Sequence, residues 1–426
     1  VLLILGLKAK TKASKRQRRN KKIMKVINRF MNFVRSIPMA IPGIALALAA
    51  LGNLLIPSFM TMNDYGVAVP RDGILTVRII LGSIALFILV LFALKIILDR
   101  KHAGREWRVH VPLSVLPTAT MALILISSYL VPFTPPMGAP TTGVAIFALI
   151  VWFLAIACQL FVMGLFYYRF IFKKPAPGPK MGSKGERKPG SRLGAVFPSW
   201  FIIGVGIVAV SVTAPWMGRA LLAAGAETPN FALALGRIAF YVGFSLYFLT
   251  LPFVIWRMKK VKIFPEPLKK TIAIFAAPMG LLVVGYINAF NVMPPAIVPG
   301  HAMVPHDTFS PILLYIMLAI AVISYIYVLA MMIPLLRIRF YPTYAAFTFP
   351  LVISAMAFRL ATNFLNTQLE GGAGHIFAQF MNVFSHFALI LAIVAVLFVI
   401  ICYVKYFVFW LTFTRSTKNS LPVSVE

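Results

Sequence analysis

The chain has 426 residues, 60% of them hydrophobic and 12% charged, with a mean hydropathy of +0.90. A soluble domain of this size cannot hide that much apolar side chain, so a membrane class is expected. The formal net charge of +31 would suit nucleic acid, but nearly all of it flanks apolar runs on one side, so no nucleic-acid partner is expected.

Residues 1–35 form a basic tail. Its opening run, Val1–Leu7, is too short for a secretory signal, and the basic segment follows it rather than preceding it. Twelve Lys and Arg lie between Lys8 and Arg35. Such a segment is expected to be solvated or to rest on anionic lipid.

Ten segments are then long and apolar enough to cross a bilayer, which takes roughly 20 residues. They run over 36–56, 74–98, 112–131, 142–172, 197–218, 231–256, 268–292, 309–336, 342–366 and 376–411. Residues 412–426 form a second tail. Charge placement orients the spans. Of the 41 Lys and Arg, all but Arg71, Arg78, Arg219, Arg237 and Arg359 fall on the side that carries both tails. The positive-inside rule therefore predicts a multi-pass protein of the plasma membrane with both ends in the cytoplasm. The connection 173–196, rich in Lys, Pro, Gly and Ser, is expected to be a flexible cytoplasmic loop.

Proline marks every odd-numbered span. Pro42, Pro117, Pro198, Pro278 and Pro350 are separated by 75, 81, 80 and 72 residues, and small residues accompany each one. Regular spacing of this kind predicts five helical hairpins in tandem, all with one orientation. Proline frees a backbone carbonyl and kinks a helix. Lipid tolerates that only where the helix is protein-buried or lines a cavity. The expected fold is all-α and integral to the membrane, with an inner ring of kinked odd helices around a central pore and an outer ring of even helices.

Little points to catalysis. The ten Asp and Glu all lie in connections or at span ends. Intramembrane carboxylates normally serve proton relays and cation sites, so their absence argues against a cation channel or a carboxylate-based antiporter. His301, His306 and Asp307 share a loop at a spacing that matches no strong zinc signature, and His386 fits a packing role. Phosphate loops, metalloprotease motifs and nucleophile elbows are missing, so no enzyme, cofactor or metal site is expected. Cys158 and Cys402 fit buried free thiols. Arg78, Arg237 and Arg359 sit near the outer ends of their spans. There they could attract anions by their long-range field, or pack against helix carbonyls or snorkel to the interface.

Span 7 and its approach carry Phe264-Pro265-Glu266-Pro267 and then Ile274-Phe275-Ala276-Ala277-Pro278. Span 9 carries Ala346-Phe347-Thr348-Phe349-Pro350. Both resemble signature segments of the tellurite-resistance/dicarboxylate transporter family, which includes the plant slow-type anion channels. The resemblance covers roughly 36–411 in span number, orientation and proline placement. It implies a homotrimer with one pore in each protomer, each pore occluded by a phenylalanine of the ninth helix. That role falls on Phe349, with Phe347 as the alternative. The expected activity is gated passage of small anions such as chloride or nitrate. The competing expectation is a coupled carrier of dicarboxylate, sulfite or tellurite. A scaffold held on anionic lipid is the alternative from another class.

Overall fold

A chain in hydrocarbon must satisfy its backbone hydrogen bonds within itself, and a helix does so segment by segment. The computed structural model follows that rule. It describes residues 20–21, 23–63, 71–106, 110–131, 141–172, 196–226, 230–260, 266–290, 306–368 and 372–416, and every regular element among them is helical. Most of the basic tail, nearly all of the 173–196 loop, His301 and the last ten residues lie outside the described residues.

Nine helices among the described residues are long and apolar enough to span a membrane. They are α2 (Gly73–Leu98), α3 (Pro112–Leu130), α4 (Thr142–Phe170), α5 (Trp200–Ala223), α6 (Asn230–Lys259), α7 (Leu268–Ala289), α8 (Pro311–Leu336), α9 (Pro342–Asn366) and α10 (Ile376–Phe409). Ahead of them stands α1 (Pro42–Asn63), whose apolar stretch is Pro42–Leu55. A further helix, described over 20–21 and 23–36, precedes α1.

Burial separates the helices into two classes. In α3, α5, α7 and α9, between 72% and 89% of the apolar window is buried, against 28% to 39% in α2, α4, α6, α8 and α10. Residues 41–55 of α1 are all buried. The odd helices touch in succession, α1 with α3, α3 with α5, α5 with α7 and α7 with α9, and α9 returns to α1. They form a closed inner ring. The even helices pack outside it with apolar faces turned outward, as Phe161, Leu249, Ile323 and Ile390 illustrate. Cys158 also faces outward on α4, so the expectation of a buried thiol is corrected there, while Cys402 is half-buried. An outward face suits it because lipid, like a core, accepts a small apolar thiol.

Lipid is as apolar as leucine, so close packing rather than water exclusion holds such helices together. Gly280 of α7 lies directly on the α9 backbone. A Cβ there would come within 3.2 Å of Ser354 Cα and 3.3 Å of Ser354 N.

The ring prolines mark where regular helix begins. Pro42 opens α1, and Pro117 opens the regular part of α3 after the short helix His110–Val115. Pro278 is second in the α-helical Ala277–Ala289, after the 3-10 segment Glu266–Ala276. Pro350 is second in Phe349–Gln368, after the 3-10 segment Pro342–Phe347. These positions suit proline, because first-turn N–H groups have no partner within the helix. Pro198 differs from the expected kink: it lies in the turn before Trp200, and α5 is interrupted instead by the 3-10 stretch Gly206–Val208.

Candidate ion path and gate

Four of the inner helices, α3, α5, α7 and α9, are interrupted near their N-terminal ends, and α1 begins at Pro42. Hydroxyls bind the loosened backbone there. Ser354 Oγ donates to the Ala276 carbonyl at 2.9 Å, beside Pro278. Thr348 Oγ1 donates to Ala345 O at 2.7 Å and reaches Gly43 O of α1 at 3.4 Å. Ser114 and Ser199 pair at 2.6 Å between α3 and α5. Thr120 donates to Pro117 O at 2.9 Å and also pairs with the Gln159 side chain. Farther along α5, Thr213 accepts from Trp152 Nε1 at 2.9 Å and Ser211 donates to Gly236 O at 2.7 Å. These groups join helices to one another, and each bond removes a buried polar atom that would otherwise cost about 1–3 kcal/mol.

The Phe347-Thr348-Phe349 segment sits where α9 changes from 3-10 to α geometry. Phe347 packs edge-on against Tyr344 at 5.4 Å. It also lines an outward crevice of about 180 Å³ with Met332 and Leu336 of α8 and Leu391, Val394, Ala395 and Phe398 of α10. Thr348 points to α1. Phe349 opens the α-helical part of α9, just past Thr348 and the 3-10 stretch that ends at Phe347. Phe349 is buried, at 7% exposure, and among the described residues it makes no ring-to-ring contact. Phe347 thus packs against the outer helices, whereas Phe349 lies buried just beyond the helical break.

A basic clasp fixes this junction from outside. Lys270 of α7 is fully buried. Its Nζ donates to Arg339 O at 2.6 Å and lies 3.3 Å from the centre of the Tyr344 ring. Tyr344 donates to Ile338 O at 2.8 Å, and Tyr403 of α10 donates to Pro342 O at 2.5 Å. By sequence Lys270 belongs to the charge of a connection. It is buried because helical structure begins at Glu266, well before Pro278, and carries the lysine inward. Its place at the start of an apolar run was the only signal available.

The three arginines divide by role. Arg78 of α2 is buried, donates to Ser128 O at 2.9 Å and Asn53 Oδ1 at 3.3 Å, and lies over the Tyr129 ring at 4.2 Å. Arg237 of α6 reaches Ala289 O at 3.5 Å. Each arginine therefore binds a carbonyl at the C-terminal end of the next inner helix, where positive charge is favoured. Their matching repeat positions reflect a shared capping contact. Arg359 differs in being on an inner helix. It is 1% exposed and donates from Nη1 to Asn382 Oδ1 of α10 at 3.0 Å. His386 lies half-buried on α10 with Nδ1 2.9 Å from Asn382 O, and exposed His306 pairs with Thr308 at 2.9 Å.

The inner helices carry four basic residues, Arg219, Lys269, Lys270 and Arg359, and no acidic one. The larger of the two best-defined crevices, about 590 Å³, lies outside the ring between α8, α9 and α10, with a largely apolar lining that includes Tyr315, Ile323 and Phe380.

A closed ring of interrupted helices, basic and free of carboxylates, wrapped by lipid-facing helices, defines a polytopic membrane protein of the channel or transporter class. Residues 34–416 match the family model SLAC1, described as voltage-dependent anion channel, and the chain belongs to that family. Among curated proteins none matches it. Membership makes the protein an anion channel or transporter, in a family of permeation proteins rather than enzymes.

Proposed function

We propose that this protein passes small anions such as chloride and nitrate along the axis of its inner ring, and that Phe349 closes the path. The burial of Phe349 on an inner helix, at the point where α9 changes helical type, supports this reading. An apolar constriction stops water and ions until the ring rotates away. Around it, the positive bias of the inner helices and the lack of carboxylates favour anions over cations. Selectivity then follows ease of dehydration. Arg359, on an inner helix, contributes field near one mouth, whereas Arg78 and Arg237 act as helix caps.

The body 36–411 is one conducting unit of ten spans, and its basic end faces the cytoplasm at the plasma membrane. The charge asymmetry supports that orientation. The family resemblance extends the proposal to a homotrimer with a separate path in each protomer. Native mass measurement in mild detergent tests the trimer, and a monomer mass would reject it.

The function is tested with purified protein in proteoliposomes under a set voltage, offering chloride, nitrate, sulfite and malate in turn. The expected result is a current that reverses at the anion equilibrium potential and ranks nitrate above chloride. Movement only in exchange for a second solute, or with a fixed proton count, would replace the channel by a coupled dicarboxylate or sulfite carrier. Absence of flux for all four would reject both.

A further inference from the structure

Among the described residues, none covers the apolar side of the helix over 20–21 and 23–36. Ile23, Met24, Val26, Ile27 and Phe30 are between 45% and 65% exposed. Ile23, Val26, Ile27 and Phe30 follow the three-and-four spacing of one helical stripe, and Val34, the next position on it, is buried in the bundle. The opposite stripe holds Lys21, Lys25, Asn28, Arg29 and Asn32. A large exposed apolar stripe backed by lysine and arginine is the pattern of a helix that lies in the plane of a membrane surface.

The root of this helix fixes its height. Arg35 Nε lies 3.7 Å from Asp99 Oδ1 at the end of α2, and Lys95 Nζ donates to Ile37 O at 2.5 Å. Phe33 packs on Phe407 of α10 at 5.9 Å between ring centres. The neighbours of Phe407 on α10, Val404, Val408 and Phe409, are more than half exposed, as is Ile97 on α2. These are lipid-facing rows, so the helix leaves the bundle level with the edge of its hydrocarbon belt. Its charge selects the lipid. Residues 1–63 contain no Asp or Glu, and twelve Lys and Arg precede α1.

We infer that this helix is an interfacial arm that docks its apolar stripe into the membrane surface at the basic end of the bundle, held there by anionic lipid headgroups. The occupant of the exposed face is lipid rather than a second protein. The apolar stripe continues the level of the lipid-facing rows, and the uniform positive charge complements phosphate. Near an anionic surface each Lys or Arg multiplies binding by about five-fold. Reversing three charges therefore weakens docking by at least about a hundred-fold. The arm is joined to α1 through the turn that Lys95 holds, so docking bears directly on the start of an inner helix.

The test uses the full chain in nanodiscs. An environment-sensitive fluorophore is placed on Ile27→Cys in a background with Cys158→Ser and Cys402→Ser, and neutral acrylamide serves as quencher. The expected result is blue-shifted emission and several-fold protection in discs of phosphatidylcholine with phosphatidylglycerol, weaker protection in phosphatidylcholine alone, and loss on raising salt. Lys21→Glu/Lys25→Glu/Arg29→Glu should abolish the gain from anionic lipid, and Val26→Asp/Phe30→Asp should abolish protection in both lipids. These side chains are solvent-exposed, so the ring folds in either variant. Equal protection in neutral and anionic discs, indifferent to charge reversal, would overturn the inference. So would protection in detergent that grows with protein concentration, which would assign the face to a second copy. None of these readouts depends on anion flux.

Discussion

Truncating the two phenylalanines of α9 separately should give opposite phenotypes. Burying a phenylalanine side chain is worth about 1.5–3 kcal/mol. At 1.4 kcal/mol per factor of ten, that energy holds the closed form about 10- to 150-fold over a form with the ring withdrawn. Phe349→Ala removes the ring from the axis and should raise chloride and nitrate flux by about that ratio. Phe347 instead packs between Tyr344 and the crevice formed by α8 and α10. Phe347→Ala should leave flux per folded molecule near wild type while lowering stability by about 3 kcal/mol, as for other buried phenylalanines. The assay is stopped-flow anion flux in proteoliposomes, normalised to folded protein, beside thermal unfolding in detergent. Equal flux gains in both variants, or none in a well-folded Phe349→Ala, would refute the assignment of the plug to Phe349.

Other outcomes follow from the packing. Arg78→Gln should lose stability, by about 2–3 kcal/mol, because Ser128 O and Asn53 Oδ1 lose their charged donor; the order of anion preference should not change, and a changed order would restore Arg78 to the path. Gly280→Ala should cost about 1–3 kcal/mol in thermal unfolding, since the added Cβ meets Ser354 backbone rather than a side chain that can move. Lys270→Met should loosen the clasp, seen as faster amide exchange over 342–348 and a higher resting flux. Unchanged exchange there would show that Tyr403 and Tyr344 hold the segment without it.

Much of this architecture is legible from proline spacing and charge. The five prolines mark inner helices by their regular spacing, and most of them stand at or beside the start of a regular helical stretch, whereas Pro252 and Pro334 lie inside outer helices. What the pattern cannot convey is direction around a helix. Phe347 and Phe349 both lie beside a break, and only their packing separates them. Arg78 and Arg237 could be matched as repeat equivalents by position, yet their shared function depends on where Ser128 and Ala289 end up in space. Pro198 fits the numerical period but lies just outside its helix, because Gly206 supplies the interruption that the repeat places on proline elsewhere. The arm helix was visible only as charge, since its apolar stripe is shorter than a span.

The contact between Thr348 and Gly43 joins residues 305 apart in the chain. A ring whose last member closes on its first has a consequence for synthesis. Domains emerge from the ribosome N-terminal end first, so α1 waits in the bilayer for the partner that covers its inner side until α9 has been made. A chain stopped after α8 has no enclosed axis, and its small-residue faces on α1 and α7 remain open to lipid. With Phe349 as the proposed plug, the last inner helix to be inserted would also carry it, so closing the ring and stoppering it would fall in the same step.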